Sequence, residues 1–187
     1  DDLAGPLERA WAAAFALRDL LKFEFFFSDK ATFREEQKAE SRIIDPKFRQ
    51  RAATAKDRRE ILLKLPVLIA HRVLAPFIEA YFIVADRLAA QPVDAKIDKK
   101  ALTEECLRVG RQYVLQQRLG NPECVSREVF GNALSLAANR DLLTPGAPDL
   151  AQRRQAFADE LAAAVQGVAD IEELDRMRRS AKAKAAR

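Results

Sequence analysis

Hydrophobic residues recur at helical spacing along most of this chain, and no stretch alternates between apolar and polar positions as a half-buried strand does. Polar breaks containing Gly or Pro separate the periodic segments. The pattern therefore predicts a sequence of helices joined by short connections. The predicted helices span residues 7–27, 32–44, 57–90, 99–119, 122–143 and 149 onward.

Capping residues support several of these boundaries. Asp29 follows Ser28 and supplies N-cap chemistry for the second helix, and Thr32 stands three residues before Glu35, the spacing of a capping box. Gly120 precedes Asn-Pro, which suits the end of one helix and the start of the next. Asp149 has a capping-box spacing with Gln at the start of the last predicted helix.

The predicted element at 57–90 is the longest and the most apolar. Its polar residues recur about every seven positions, which indicates a helix that is buried on most sides inside a bundle. Charged residues interrupt it too often for a membrane span, which needs about 20 apolar residues. Pro66 and Pro76 are expected to kink or break it. The interrupting residues are Lys64, His71, Arg72, Glu79 and Asp86.

Composition agrees with a helical protein, because 49% of residues are hydrophobic, 32% are charged, and Gly and Pro are few. We expect an all-α fold: a bundle of about six helices with one long, mostly buried central helix. The expected organisation is a single helical domain at 1–175 and a basic tail at 176–187. The chain begins Asp1-Asp2 and its only methionine is Met177, so we expect it to be part of a longer protein.

Residues suited to catalysis or metal binding are scarce. His71 is the only histidine, and a structural role in the buried helix is favoured over a catalytic one. Cys106 and Cys124 fit no zinc or redox spacing and are expected to be free thiols of a reducing compartment. Glycine-rich phosphate-binding motifs are absent. The sequence therefore predicts no catalytic, cofactor-binding or metal-binding residue.

The formal net charge of +4 comes from the tail. Residues 176–187 hold six basic residues and no acid, and the rest of the chain has 26 basic against 28 acidic residues. A second basic excess lies at 47–72. A solvated helix end beside core aromatics is the favoured interpretation of this charge, and the functional alternatives are contact with anionic lipid headgroups or with phosphate-bearing ligands; no motif supports nucleic-acid binding. The candidates are Arg49, Arg51, Lys56, Arg58, Arg59, Arg176, Arg178, Arg179, Lys182 and Lys184.

Two further features are candidates for docking another domain. The first is a cluster of phenylalanines at the end of the first predicted helix. The second is a polar line on the helix at 122–143, where small and amide side chains allow close approach and hydrogen bonding; a seam between helices is favoured there over a ligand site. The residues are Phe23, Phe25, Phe26, Phe27, Asn132, Ser135 and Asn139.

Four stretches, in this order, resemble the helical region downstream of the acyltransferase domain in bacterial and mitochondrial-type glycerol-3-phosphate acyltransferases. They cover most of the chain, and their agreement in order makes them more specific together than singly. They are residues 17–27 (LRDLLKFEFFF), 73–86 (VLAPFIEAYFIVAD), 110–115 (GRQYVL) and 126–143 (SREVFGNALSLAANRDLL).

The resemblance implies a non-catalytic C-terminal domain of an enzyme that transfers a fatty acyl group from acyl-CoA or acyl carrier protein to the 1-hydroxyl of glycerol 3-phosphate. It implies a peripheral position at the cytoplasmic face of the cell membrane, with the upstream acyltransferase domain as partner. The family's catalytic signature is His-x-x-x-x-Asp, but Pro76 stands five residues after His71, so no catalytic residue is assigned. The alternative is a free-standing helical scaffold protein.

Overall fold

The computed structural model describes residues 5–47, 55–65 and 68–185. Within these ranges the chain is all-helical, with seven α-helices, one 3₁₀ turn and no strand, which confirms the predicted fold class. The helices are α1 (Pro6–Leu20), α2 (Lys30–Ile44), α3 (Ala55–Lys64), α4 (Ala70–Ala89), α5 (Lys99–Leu115), α6 (Arg127–Asn139) and α7 (Leu150–Ala185), with the 3₁₀ turn at Pro122–Cys124.

The chain groups into two compact units. The terminal unit comprises residues 1–69 and 172–187, and the central unit comprises residues 70–171. Helix α7 contributes to both, because it begins in the central unit and ends in the terminal unit. The predicted division into one domain at 1–175 and a tail at 176–187 stays a prediction. The described residues of that tail form the last turns of α7.

Helix α4 is the buried helix of the central unit, and it packs against α5, α6 and the 3₁₀ turn. Ten of its 20 residues are buried and only three are exposed, which confirms the prediction of a mostly buried central helix. Tyr81, Ile83, Val84 and Leu88 are completely inaccessible to solvent. Burial of each such side chain contributes about 2 kcal/mol, so this helix anchors the core of the unit.

Gly110 lets α5 approach α4 closely. A Cβ atom at this position would lie 3.0 Å from Ile83 Cδ1 and 3.3 Å from Val125 Cγ2. Because the first distance is shorter than an ordinary contact between carbon atoms, a larger residue would push the two helices apart. The glycine is therefore explained by packing.

Helices α1 and α2 form a hairpin in the terminal unit. The rings of Phe15 and Phe33 pack with centroids 5.9 Å apart, and Lys30 Nζ lies 2.8 Å from an oxygen of Asp19. Asp29 is the N-cap of α2, as predicted, and accepts hydrogen bonds from the backbone N–H groups of residues 31 and 32. The predicted capping box at Thr32 is wrong, because Thr32 lies inside the helix and donates its hydroxyl to Asp29.

The first helix ends earlier than its hydrophobic pattern predicts, at Leu20 instead of residue 27. Arg18 donates a hydrogen bond of 2.6 Å to the carbonyl of Ser28, which holds the chain in a reversal after the helix. The phenylalanines that continue the helical spacing therefore lie in a turn. Bulky aromatic residues are poor helix formers, which is consistent with this early end.

The element predicted at 57–90 is two helices, α3 and α4, with Leu65, Leu68 and Ile69 outside both. Pro66, which is expected to kink or break this element, lies outside the described residues, so its effect stays a prediction. At Pro76 the helix continues without interruption. The longest helix is α7, with 36 residues, so the prediction that the longest element lies at 57–90 is wrong.

Helices α5 and α6 both end in a Schellman motif, although neither has glycine in the left-handed position. Gln117 has a φ of 57°, and the amide of Arg118 donates to the carbonyl of Tyr113. Asp141 has a φ of 53°, and the amide of Leu142 donates to the carbonyl of Ala137. The predicted end of this helix at residue 119, before Gly120, is therefore wrong by four residues, because the hydrogen bonds of the motif end α5 at Leu115.

Among the residues that the structure describes, no helix is both long enough and apolar enough to cross a lipid bilayer. This agrees with the sequence of α4, whose apolar positions are interrupted by charged residues. The apolar side of α4 instead forms the core of the central unit.

Candidate interaction surfaces

Five of the predicted headgroup-binding cations are exposed on the terminal unit: Lys56, Arg59, Arg176, Arg179 and Lys184. Arg59 Nη2 lies 3.5 Å from the sulfur of Met177, which is itself 45% exposed. Arg176 and Lys184 line a groove of about 360 Å³ on the surface of α7, together with Met177. Glu173 also lines this groove and lies 2.6 Å from Arg176, so the groove combines two cations, one carboxylate and exposed apolar surface.

Arg178 and Arg179 share the carboxylate of Asp175, Arg178 from a buried position and Arg179 from an exposed one. Arg178 is buried, lies 2.6 Å from one oxygen of Asp175 and donates to the carbonyl of Leu65. Arg179 donates to the other oxygen. Burial raises the pKa of Asp175, but the two guanidinium groups outweigh this and hold it below its ordinary value. Arg178 is therefore a structural residue in this unit, and its guanidinium is not exposed for a headgroup.

The remaining predicted cations are not placed. Arg49 and Arg51 lie outside the described residues, and the side chains of Arg58 and Lys182 also lie outside the described part. Their contact with lipid stays a prediction.

The phenylalanine cluster divides into an inner and an outer pair. Phe25 and Phe27 are half-buried and pack edge to face with centroids 6.3 Å apart, and Phe27 also packs edge to face on Phe33. Phe26 is fully exposed, and Phe23 is 40% exposed with the ammonium of Lys22 above its ring. Only the outer pair, Phe23 and Phe26, presents apolar surface on which another domain can pack.

The predicted polar line on α6 lies on the more exposed side of that helix. Ser135 is exposed and donates its hydroxyl to the carbonyl of Gly131 in its own helix. Asn139 is exposed, and Asn132 is half-buried. The buried face of α6 consists instead of apolar residues such as Phe130 and Leu136. Docking through the polar line stays a prediction.

Glu79, which the sequence placed on the polar stripe of α4, is buried and holds the connection that follows α5. Its carboxylate accepts three hydrogen bonds, from the backbone N–H groups of Gly120 and Asn121 at 3.1 Å each and from Asn121 Nδ2 at 2.9 Å. Because these hydrogen bonds compensate for its burial, the Glu79 carboxylate holds this connection in place.

The two cysteines are free and buried, as predicted. Burial, together with the neighbouring carboxylates of Glu105 and Glu79, raises the pKa of Cys106 and Cys124, respectively, to about 12. Because the thiolate is the nucleophile and the metal ligand, neither cysteine is suited to covalent catalysis at neutral pH.

A half-buried network joins α4 to α5. Tyr113 donates its hydroxyl to Asp86 at 2.7 Å, and Arg87 lies 2.7 Å from the same carboxylate oxygen. Burial raises the pKa of the Tyr113 phenol, and its hydrogen bond to Asp86 raises it further. Arg118 stacks on the Tyr113 ring at 3.9 Å. The Tyr113 phenol is therefore neutral at physiological pH and is not a reactive group. The network instead holds α4 and α5 in position.

Arg154 connects three segments in the interior of the central unit. It is 1% exposed and donates to the carbonyls of Leu142 at 2.9 Å, Gln91 at 3.2 Å and Pro92 at 3.4 Å. Burial without a compensating carboxylate lowers its pKa. The burial of Arg154 was not predictable from the sequence, because no local pattern distinguishes a buried arginine from an exposed one on an amphipathic helix.

A cleft lies between α5 and α6, and it was not predictable from the sequence. It has a volume of about 300 Å³ and combines cationic residues with an apolar floor. Its residues come from two helices, so no spacing along the chain connects them. The lining residues are Lys99, Lys100, Thr103, Arg127, Gly131 and Leu134.

Comparison with known proteins identifies one matching family. The family described as glycerol-3-phosphate acyltransferase C-terminal region matches residues 4–146. Curated proteins named "Putative acyltransferase plsB1", from Mycobacterium bovis and from two strains of Mycobacterium tuberculosis, are 46% identical over 165 residues. No solved structure matches the chain.

The coverage of these matches is unequal. The aligned residues are 87% of this chain but only 26% of each mycobacterial relative. The chain therefore spans about a quarter of the length of the curated relatives that it matches. The four stretches that resembled this family in the sequence all lie inside the matched range.

Proposed function

Because the chain belongs to the family of glycerol-3-phosphate acyltransferase C-terminal regions, we propose that it is the downstream, non-catalytic part of such an enzyme. The whole enzyme transfers a fatty acyl group from acyl-CoA or acyl carrier protein to the 1-hydroxyl of glycerol 3-phosphate. The observation that carries this proposal is the match to a C-terminal region together with 46% identity to acyltransferases about four times as long.

On this proposal the chemistry takes place on the upstream part of the polypeptide. Transfer to a hydroxyl requires a general base that removes its proton. Three features of the chain are consistent with a non-catalytic role. No His-x-x-x-x-Asp motif includes His71, both thiols are buried, and the Tyr113 hydroxyl is hydrogen-bonded to Asp86. The region contributes packing surfaces, and Phe23 and Phe26 are the residues that we propose dock on the catalytic part.

We further propose that the exposed cations of the terminal unit hold the enzyme peripherally at the cytoplasmic face of an anionic membrane. Each Lys or Arg near such a surface contributes about 1 kcal/mol. Lys56, Arg176 and Lys184 are exposed, and the exposed Met177 adds an apolar contact beside them.

Replacing Lys56, Arg176 and Lys184 together with Gln is expected to weaken binding to vesicles that contain anionic lipid. Three cations at about 1 kcal/mol each correspond to a partition coefficient that is lower on the order of 100-fold. Sedimentation of the protein with vesicles measures this coefficient. Because all three side chains are exposed, the folded state is expected to tolerate the change.

The matched control removes the same charge from the central unit, where Lys96, Arg108 and Arg111 are exposed. Replacing these three with Gln is expected to leave vesicle binding within about a few-fold of the original, the difference that unspecific charge accounts for. Equal weakening by the two triple variants, or none by the first, would contradict a membrane-binding role for the terminal unit.

A further inference from the structure

The cleft between α5 and α6, here called the α5–α6 cleft, lies wholly within the central unit. Leu134, which is almost fully buried, and Gly131 form its floor. A Cβ atom built on Gly131 would meet nothing within 4 Å, so the glycine leaves open space at this point of α6. The cleft has the volume of a small-molecule pocket, for which about 300 Å³ is the lower limit.

Three cations line this one cleft: Lys99 and Lys100 from the first turn of α5, and Arg127 from the first turn of α6. The central unit as a whole does not explain this concentration, because its basic and acidic residues nearly balance. Thr103 adds a hydroxyl, which donates to the carbonyl of Lys99 in its own helix. The polar groups around the cleft are therefore chiefly hydrogen-bond donors with positive charge.

The nearby acids are already engaged. Asp98 is the N-cap of α5 and accepts from the amides of Lys100 and Ala101. Glu104 lies 2.5 Å from Arg127, and that hydrogen bond holds the pKa of Glu104 below its ordinary value. Both partners of this pair are exposed, and exposed pairs are worth at most about 1 kcal/mol, so a stronger anion can displace Glu104 from Arg127.

We propose that the α5–α6 cleft binds a phosphate monoester that carries an apolar chain. A phosphate monoester presents two negative charges and three oxygens, which match Lys99, Lys100 and Arg127. Its chain covers the floor formed by Gly131 and Leu134. The three cations alone would suit any anion. The apolar floor beside them favours an anion that carries an apolar chain.

This inference goes beyond the proposed function and does not rest on it. The cleft residues belong to the central unit, and none of them is among the cations assigned to the membrane-binding surface. The same chemistry could be presented by a lipid headgroup in a bilayer or by a free, water-soluble ester. The experiments below distinguish these two sources.

Isothermal titration calorimetry with decyl phosphate, used below its micellar concentration, tests the proposal directly. We expect one molecule bound per chain, with inorganic phosphate as a weak competitor. Decyltrimethylammonium has the same chain and the opposite charge, and we expect it not to bind. Absence of decyl phosphate binding, or equal binding of the two amphiphiles, would overturn the proposal.

Three variants test whether binding takes place in the α5–α6 cleft. Changing Lys99, Lys100 and Arg127 together to Gln is expected to weaken decyl phosphate binding at least about tenfold, since three charge-assisted contacts are lost. Glu104→Gln is expected to strengthen binding several-fold, because it releases Arg127. Arg108→Gln, an exposed change on the same helix outside the cleft, is expected to have no effect.

Gly131→Leu separates loss of the site from loss of the fold. The new side chain has space, and leucine is a better helix former than glycine, so the melting temperature is expected to stay the same or rise. Binding is nevertheless expected to be lost, because the side chain fills the cleft. Unchanged binding in this variant, or in the triple Gln variant, would place the ligand elsewhere and refute the assignment.

Vesicles distinguish the two sources of the ligand. Phosphatidic acid presents a phosphate monoester, whereas phosphatidylglycerol presents a diester, and the two can be compared at equal surface charge. If the cleft takes a lipid headgroup, the protein prefers phosphatidic acid and the triple Gln variant loses that preference. If it takes a free ester, decyl phosphate binds and no such preference is seen. Either result supports a monoester site, provided that Gly131→Leu abolishes it.

Discussion

Replacing Glu79 with Gln is expected to lower the free energy of unfolding by about 3 kcal/mol. The carboxylate is 7% exposed and accepts three hydrogen bonds from Gly120 and Asn121. A glutamine amide has only one acceptor oxygen, so its NH₂ group would face at least one N–H donor that then has no acceptor. Urea unfolding followed by far-UV circular dichroism measures the loss.

The same change is expected to speed hydrogen exchange of the backbone amides of Gly120 and Asn121, because their acceptor is weakened. Glu123→Gln is the matched control: Glu123 is exposed in the same connection, and its replacement is expected to change stability by less than about 0.5 kcal/mol. If both variants are equally stable, Glu79 is not the anchor of this connection.

Arg154→Met is expected to destabilise the protein by about 3 kcal/mol. Methionine preserves most of the apolar stem but removes the guanidinium bonds to the carbonyls of Leu142, Gln91 and Pro92, of which Pro92 keeps its bond from the Ala95 amide. Removing a buried charge that lacks a carboxylate partner regains some desolvation energy, and this offsets part of the loss. We expect the three lost hydrogen bonds to outweigh that gain, because they join the connections after α4 and α6 to the start of α7.

Gln152→Met, on the exposed side of α7, serves as the control for Arg154→Met and is expected to leave the unfolding midpoint nearly unchanged. Thermal and urea unfolding of the two variants should therefore differ clearly. An Arg154→Met variant as stable as the original would mean that desolvation of the guanidinium cancels its hydrogen bonds.

The helical architecture was predictable because most of the information is local. Apolar periodicity located the helices that the structure describes, although it joined α3 and α4 into one element. The ends of helices were less predictable, because tertiary hydrogen bonds determine them. The bond from Arg18 to the Ser28 carbonyl accompanies the early end of α1, and Gln117 takes a left-handed conformation for which glycine is the usual residue.

The candidate surfaces were predictable in composition but not in exposure. Neighbouring phenylalanines or arginines look alike in a sequence, yet Phe26 is fully exposed while Phe27 packs on Phe33, and Arg178 is buried against Asp175. The α5–α6 cleft could not be predicted at all. Its cations come close together only because α5 and α6 pack in the same unit, so the signal is three-dimensional.

The structural roles of the polar residues are consistent with a supporting region of a larger enzyme. Glu79, Asp86 and Arg154 all use their charge to hold connections or helices in place. The surfaces that remain for other tasks are the exposed cations and the outer phenylalanines of the terminal unit, and the α5–α6 cleft of the central unit.

Acyl transfer to glycerol 3-phosphate, measured for the 187-residue chain alone and for the longest polypeptide that contains it, tests the proposed function most directly. We expect the longer polypeptide, far heavier than 21.0 kDa, to form the 1-acyl product from acyl-CoA or acyl carrier protein, and the chain alone to form none. Product formed by the chain alone would contradict a non-catalytic role. A longer polypeptide without this activity would contradict the assignment to glycerol 3-phosphate acylation.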